Sequence, residues 1–489
     1  MQPTAEQYAA IHTHDRNLVV VAGAGSGKTR VLVERYLALL EANPTWELNA
    51  LVAVTFTQKA AQEMRDRVRQ ALQARLFAAT SVTDQSRWAR LLATMDTARI
   101  DTIHALCGAL LRANAAEAGL DPRFQILDEI NSRLLAEDVV ERTLAALLND
   151  SGTVDPTVRL FTVYDAKQIR KTLVEFVNTP LPELPADSDA VLAGWQAHWE
   201  QQTKRFVLLA LRSSEFESTA QWLAETPFPV GDKLADQARD VQAAMDRLLL
   251  LQPNDPLDRF VNSVQHFPNP NLKVGSATAW GNSEVLKEAK RRLKTAREWA
   301  ITLKGLIGEA LNDLDHQAAA WLPLWARLIE QAQGAYRQAK IHNDLLDFDD
   351  LEIYTANLLA RYPHVRARYL GAEFRHVLVD EFQDTNALQW AIIQALTAPD
   401  QPTERGQVAR LFVVGDPKQS IYAFRGADVS VFEQTRALLQ HEIPLVQSFR
   451  AHERLVSLFN HVFGQLLAKS PDSPVIHYEV EYGLPMSAP

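Results

Sequence analysis

The chain carries one cysteine, Cys107, among 489 residues, which excludes an internal disulfide framework and any metal centre built from clustered thiolates. A lone thiol of this kind reads as a small buried apolar side chain. No run approaches the roughly 18 consecutive apolar residues of a membrane span, and no basic stretch leads into an apolar one at the N-terminus. Repeats of fixed period and long low-complexity tracts are also missing. Positive charge is in deficit, with 50 Lys and Arg against 60 Asp and Glu, a formal charge of −10. That balance speaks to solubility and long-range steering and does not decide what a local groove binds. The expectation is a cytoplasmic protein with no membrane partner, long enough for roughly two to four domains, with 47 % hydrophobic residues to fill their cores.

What the chain does have begins at residue 22. Ala22 stands in front of Gly23-Ala24-Gly25-Ser26-Gly27-Lys28-Thr29, the spacing of a phosphate-binding loop. The apolar run Asn17 to Val21 precedes it as a strand, and Arg30 to Leu37 follows as an amphipathic helix. Glycines let the backbone close around phosphates, and the helix N-terminus adds favourable partial charge. Lys28 is then placed to bridge the β- and γ-phosphates, and Thr29 to bind Mg2+. The acidic partner comes far downstream, where His376-Val377-Leu378-Val379 reads as a buried strand ending in Asp380 and Glu381. Carboxylates at the carboxyl end of a strand lie where open α/β sheets bind ligands. Asp380 is suited to hold Mg2+ and Glu381 to polarise an attacking water, with Lys28 offsetting charge on the transferring phosphoryl group.

Strand-like runs at 18–22, 51–55, 376–379 and 411–414 alternate with helices, the pattern of a parallel sheet with crossovers. From about Leu106 to about Asn343 the apolar spacing is helical, as in 132–148, 192–211, 233–251 and 318–340. Proline-containing stretches at 179–187, 227–230, 253–256 and 267–270 separate these helices. The fold class is therefore α/β, a P-loop NTPase domain interrupted by a large all-α insertion. Within the insertion, Ser283 to Lys304 holds Lys287, Lys290, Arg291, Arg292, Lys294, Arg297 and Lys304. A charged helix face is usually only solvated, with nucleic-acid contact as the alternative.

Further islands follow in a fixed order: Ala53-Val54-Thr55-Phe56-Thr57-Gln58-Lys59-Ala60-Ala61-Gln62-Glu63-Met64, then Asp101-Thr102-Ile103-His104, then Phe412 through Asp428, then Gln447-Ser448-Phe449-Arg450. In content and order they resemble the motifs of the UvrD/Rep-like superfamily 1 DNA helicases. Asp416-Pro417-Lys418-Gln419-Ser420-Ile421-Tyr422-Ala423-Phe424-Arg425-Gly426-Ala427-Asp428, Thr102-Ile103-His104-Ala105-Leu106-Cys107 and Phe348-Asp349-Asp350-Leu351 look nearer to the RecB and AddA helicase-nuclease branch.

The resemblance implies a RecA-like ATP-binding domain from residues 1–105 and 344–443, a helical insertion domain from 106–343, and the start of a second RecA-like domain at 444–489. It implies ATP and Mg2+ as cofactors and ATP-dependent movement 3′ to 5′ on single-stranded DNA in recombinational repair. By match of position, Gln7 would read the adenine edge, Arg30 would contact nucleotide, Gln419 would sense the γ-phosphate and couple it to DNA movement, and Arg450 would reach the γ-phosphate from the second motor domain. Phe56, Thr57, His104, Tyr422, Phe424 and Arg425 are the matching DNA positions. Aromatic and guanidinium faces stack on any base, worth about 1–3 kcal/mol each, which suits sequence-tolerant binding. Partners implied are single-stranded DNA, single-strand to double-strand junctions and a helicase-nuclease partner subunit.

Two departures stand out. Phe424 occupies a position where UvrD has tryptophan, a smaller stacking face. Only residues 451–489 follow Arg450, and no match to the two late motifs or to a nuclease domain is found there. Two readings therefore stay open: a DNA helicase or translocase, and an ATP-responsive DNA-binding or docking module that does not unwind alone.

Overall fold

The computed structural model describes residues 2–149, 155–179, 187–397, 409–423, 426–468, 480, 482–483 and 485–488. They divide into two compact units, residues 1–132 with 338–489, and residues 133–337.

The first unit is built on a parallel sheet. Its strands are β1 (Leu18–Ala22), β2 (Leu51–Thr55), β3 (Arg99–Thr102), β6 (His376–Val379), β7 (Arg410–Gly415) and β8 (Glu442–Leu445), in the order β3-β2-β6-β7-β1-β8. A separate parallel pair joins β4 (Gln125–Ile126) to β5 (Leu345–Leu346). Successive residues of a strand face opposite sides, and here both sides are buried, so the strands read as continuous apolar runs. Val19, Val52, Val54, Val377, Val379, Leu411 and Val413 point into one core. Leu18, Val20, Ala22, Leu51, Ala53, Leu378, Phe412 and Val414 point into the other. The helix Lys28–Ala42 covers the second face with Leu32, Tyr36 and Leu39, and the helix Gln58–Ala78 adds Met64, Val68 and Leu72. The helices Ile103–Ala113, Phe348–Arg361 and Ala387–Thr397 cover the first. Each large apolar side chain buried this way stabilises by about 1.5–3 kcal/mol.

Four strands fall where apolar runs predict them. β3 and β8 do not announce themselves in the sequence. β3 is Arg-Ile-Asp-Thr at one sheet edge, and β8 holds Pro444 at the other edge, where a missing N–H costs no ladder bond. Cys107 is fully buried, and burial pushes its thiol up to about 12.

The boundaries at 106 and 343 correspond to the start of helical spacing, whereas the units divide at 133 and 337. The helix Ile103–Ala113 is amphipathic and spends Leu106, Cys107, Leu110 and Leu111 on the sheet core, so it belongs to the first unit. The described residues from 444 onward also lie in that unit, because β8 pairs with β1 through Leu445 and Phe449 N–H donates to the Gly25 carbonyl at 2.9 Å.

Every described element of the second unit is helical, with a core that includes Phe216, Leu234, Val241, Phe260, Leu293 and Leu303. The stretches 227–230 and 253–256 separate consecutive helices, and 267–270 follows the helix Leu257–Gln265. Part of the stretch 179–187 lies outside the described residues. No described helix is long and apolar enough to cross a membrane.

Candidate functional site

The loop after β1 needs its glycines for two reasons. Gly25 and Gly27 hold φ of 76° and 85°, in the left-handed region that other residues avoid. A methyl group on Gly25 would also stand 2.6 Å from Arg450 Cβ and 2.9 Å from Ser448 Oγ. This close approach fastens the loop to the segment after β8: Ser448 Oγ donates to the Ala24 carbonyl at 2.9 Å, beside the Phe449 to Gly25 bond. From the other side Gln7, 3 % exposed, donates Nε2 to the Ser26 carbonyl at 2.9 Å, while its Oε1 accepts the Thr4 N–H at 3.1 Å in a capping box. Ser26 Oγ donates to the Gly23 carbonyl at 2.8 Å and tightens the turn.

A cleft of about 520 Å³ opens over this loop, lined by Ala24 through Arg30 and by Arg67, Glu381, Gln419, Phe449 and Arg450. Ala22 ends β1, and Gly23 joins it to the loop. Lys28 Nζ sits 2.8 Å from Glu381 Oε2, an ion pair across 353 positions of sequence. Glu381 adopts φ 48°, ψ 45°, a left-handed conformation that costs a non-glycine residue on the order of 1 kcal/mol. Asp380 accepts the Glu381 N–H at 3.0 Å and donates its own N–H to the Val54 carbonyl at 2.8 Å. Burial, then the neighbouring Glu381 charge, pushes the Asp380 carboxyl up to about 6. Asp384 is raised to about 6 for the same reasons, and its Oδ1 is buried without a protein partner.

These groups suit a nucleotide carrying a divalent cation. The Thr29 hydroxyl and the Asp380 carboxylate are hard oxygen donors, and Mg2+ characteristically takes one or two protein oxygens with phosphates and water completing its shell. Gly25 leaves the loop backbone open where a side chain would fill the cradle. Carboxylates already raised by burial gain from a cation placed beside them.

Of the expected DNA residues, Phe56, Thr57, His104 and Tyr422 follow the carboxyl ends of other strands. Phe56 follows β2, and its ring lies 4.8 Å from that of Tyr422, in the loop after β7. Thr57 caps the helix Gln58–Ala78 by accepting the Ala60 N–H at 3.1 Å. His104, after β3, packs on Phe348 at 4.8 Å and sets Nε2 3.0 Å from Glu352 Oε1. Phe424 and Arg425 lie outside the described residues. On the helix Ser283–Ile307 four of the basic residues are paired within the helix, Lys287 with Glu284, Arg291 and Arg292 both with Glu288, and Lys294 with Glu298. That pattern is a solvated face laced by ion pairs.

Several contributors carry no local signal in the sequence. Arg67 reaches the cleft from a helix turn one cannot align with the loop by spacing. Asp416, 2 % exposed, holds the Gln419 amide at 2.7 Å and Lys418 Nζ at 3.1 Å. Glu352, 4 % exposed, gathers His104, Asn386 Nδ2 (3.1 Å) and Gln389 Nε2 (2.6 Å). Each needs the fold to bring it in.

Residues 3–440 match the family model described as the UvrD/REP helicase N-terminal domain. Among curated proteins, the chain is 30 % identical to an ATP-dependent helicase/nuclease subunit of Exiguobacterium sibiricum, over 96 % of this chain and 40 % of that protein. Proteins of the same name from Oceanobacillus iheyensis and Geobacillus thermodenitrificans are 28 % and 29 % identical, over 95 % and 96 % of this chain and 39 % and 40 % of theirs. The chain thus spans about two fifths of the length of these relatives.

Proposed function

The chain belongs to the UvrD/Rep helicase family, and from that premise we propose that it is an ATP-driven DNA helicase or translocase of recombinational repair, moving 3′ to 5′ on single-stranded DNA. The observation that carries the reading is the Lys28–Glu381 pair inside a cleft that also gathers the loop backbone, Gln419 and Arg450. The relatives are named as subunits of helicase/nucleases, which supports a partner subunit for this chain too.

The residues divide the work. Loop N–H groups and the N-terminus of the helix Lys28–Ala42 receive the phosphates. Lys28, with three N–H donors, turns from its pair with Glu381 toward the β- and γ-phosphates. Glu381, released from the pair, accepts the proton of the attacking water. Thr29 and Asp380 would hold Mg2+, which would offset charge on the phosphates. Gln419 and Arg450, which line the cleft, would meet the γ-phosphate, and Arg30, another lining residue, would contact the nucleotide. Gln7 has one amide hydrogen left after Ser26, available to an adenine edge. Phe56 and Tyr422 form an aromatic pair on which bases of a single strand stack, with Thr57 and His104 beside their strand ends and Phe424 and Arg425 continuing the same motif.

Strand displacement from tailed duplexes tests the direction. A 3′-tailed duplex is expected to be opened in the presence of ATP and a 5′-tailed one left intact, and the reverse preference would refute the polarity. Tight binding of ATP and DNA with no displacement of either would favour the second reading, an ATP-responsive binding module.

A further inference from the structure

The helical unit holds a cavity of its own, about 370 Å³, where the end of the helix Ser188–Ala210 and the start of the helix Ser214–Glu225 meet the C-terminal half of the helix Ser283–Ile307. Its apolar wall is the partly buried Trp299, the fully buried Leu303 and Leu306, which is 54 % exposed. Neighbours on three sides fix the indole. Nε1–H donates to the Ala210 carbonyl at 3.3 Å, and the ring lies 4.8 Å from that of Phe216 and 5.8 Å from that of Phe267. With its polar edge satisfied, Trp299 has only ring surface left to offer a ligand.

The charged groups at this wall have one sign. Glu215 and Glu298 line the cavity, and no Lys, Arg or His does. Glu215 is exposed and forms no ion pair among the described residues. Glu298 pairs only with Lys294, at 3.6 Å, between side chains that are each more than half exposed. The helix Ser214–Glu225 adds Glu217 and Glu225 and carries no basic residue. An exposed glutamate is ordinarily just solvated. These two differ in standing beside an apolar cavity with an aromatic wall.

That combination selects a cation with an apolar body. Carboxylates repel a phosphate backbone, so nucleic acid is a poor occupant. A purely apolar side chain would fill the space and leave the carboxylates desolvated without partners. An arginine meets both demands: its planar guanidinium stacks on a ring and forks onto a carboxylate, while its methylene stem lies against Leu303 and Leu306. The volume is at the small end of ligand pockets, which begin at about 300 Å³, and suits an anchoring side chain with its neighbour more than a folded element.

We propose that this cavity is a docking site for a partner protein, which enters it with an arginine flanked by apolar residues. The site lies wholly within the helical unit and is independent of the nucleotide cleft.

The test selects random heptapeptides displayed on phage against the 489-residue chain, after depletion on the double variant Glu215→Gln, Glu298→Gln. Enriched sequences are expected to combine arginine with leucine, isoleucine or phenylalanine. Titrated as labelled synthetic peptides by fluorescence anisotropy, they bind the native chain at least about 10-fold more tightly than the double variant, the loss expected for one charge-assisted hydrogen bond. Thr302→Arg, which brings a guanidinium from the chain itself to a lining position one turn from Glu298, weakens binding likewise. Glu217→Gln, on the same helix as Glu215 and outside the cavity lining, binds as the native chain does. All the substituted side chains are exposed, and thermal melting confirms that each variant folds. Enrichment of no sequence, enrichment of sequences without a basic residue, or equal affinity for the native chain and the double variant overturns the proposal.

Discussion

A single methyl group at Gly25 tests whether the loop cradle depends on its contact with the segment after β8. Alanine there must hold φ near 76°, at a cost of about 1–2 kcal/mol in the left-handed region. Its Cβ would also lie 2.6 Å from Arg450 Cβ, whereas carbons rest at about 3.5–4.0 Å. Relieving that overlap separates the loop from residues 448–450 and breaks two hydrogen bonds, Ser448 Oγ to Ala24 and Phe449 N–H to Gly25. Each is worth about 0.5–1.5 kcal/mol. The sum, about 2–5 kcal/mol, predicts that Gly25→Ala weakens binding of an ATP analogue by about 30-fold or more, since 1.4 kcal/mol is tenfold. Gly23→Ala is the control: its nearest neighbour is the flexible Met486 side chain at 3.4 Å and its φ is not positive, so binding changes by less than about 3-fold. Isothermal titration calorimetry with a thermal melt for each variant reads both. Equal affinities for the two variants would refute the cradle argument.

Two other perturbations address the site and the sheet. Lys28→Ala is expected to abolish binding of the nucleotide phosphates while leaving a folded chain, because the Lys28–Glu381 pair is partly exposed and contributes little to folding. Unchanged ATP affinity in a folded variant would contradict the loop assignment. His376 is buried, and burial, then the charges of Arg35 and His14, hold its imidazole well below the usual histidine range. The unfolded chain therefore takes up a proton near pH 6.5 that the folded chain refuses, so the contribution of this site is present above pH 6.5 and lost as pH falls below it. The slope is at most about 1.4 kcal/mol per pH unit. Asp380 and Asp384, raised to about 6, act in the opposite sense below pH 6. Urea denaturation of the native chain and His376→Leu between pH 5 and 8 isolates the histidine, and a difference that does not widen toward acid pH would refute it.

Much of the site was legible because phosphate chemistry is local. Ala22 to Thr29 and the Asp380-Glu381 strand end carry their patterns in a few adjacent residues, and Ala24 to Thr29 meet Glu381 in one cleft. The UvrD/Rep resemblance was likewise carried by short islands and is matched across residues 3–440. What escaped reading depends on the third dimension. Asp416 is an ordinary polar residue until β6 and β7 lie side by side and Gln383 Oε1 accepts its N–H. Glu352 becomes notable only when three partners from two distant segments, His104 and Asn386 with Gln389, converge on it. β3 and β8 are short edge strands of mixed polarity, too brief for a periodicity to stand out. On the basic helix, the pairing of Lys287, Arg291, Arg292 and Lys294 with Glu284, Glu288 and Glu298 one turn away suits the solvated face that its spacing suggests.

The most direct test of the account is steady-state ATP turnover by the 489-residue chain with and without single-stranded DNA, with Glu381→Gln as the blank. The account predicts turnover that DNA stimulates and that the Glu381→Gln variant lacks while still binding nucleotide. Turnover that persists in the variant, or that is indifferent to DNA in the native chain, would contradict it.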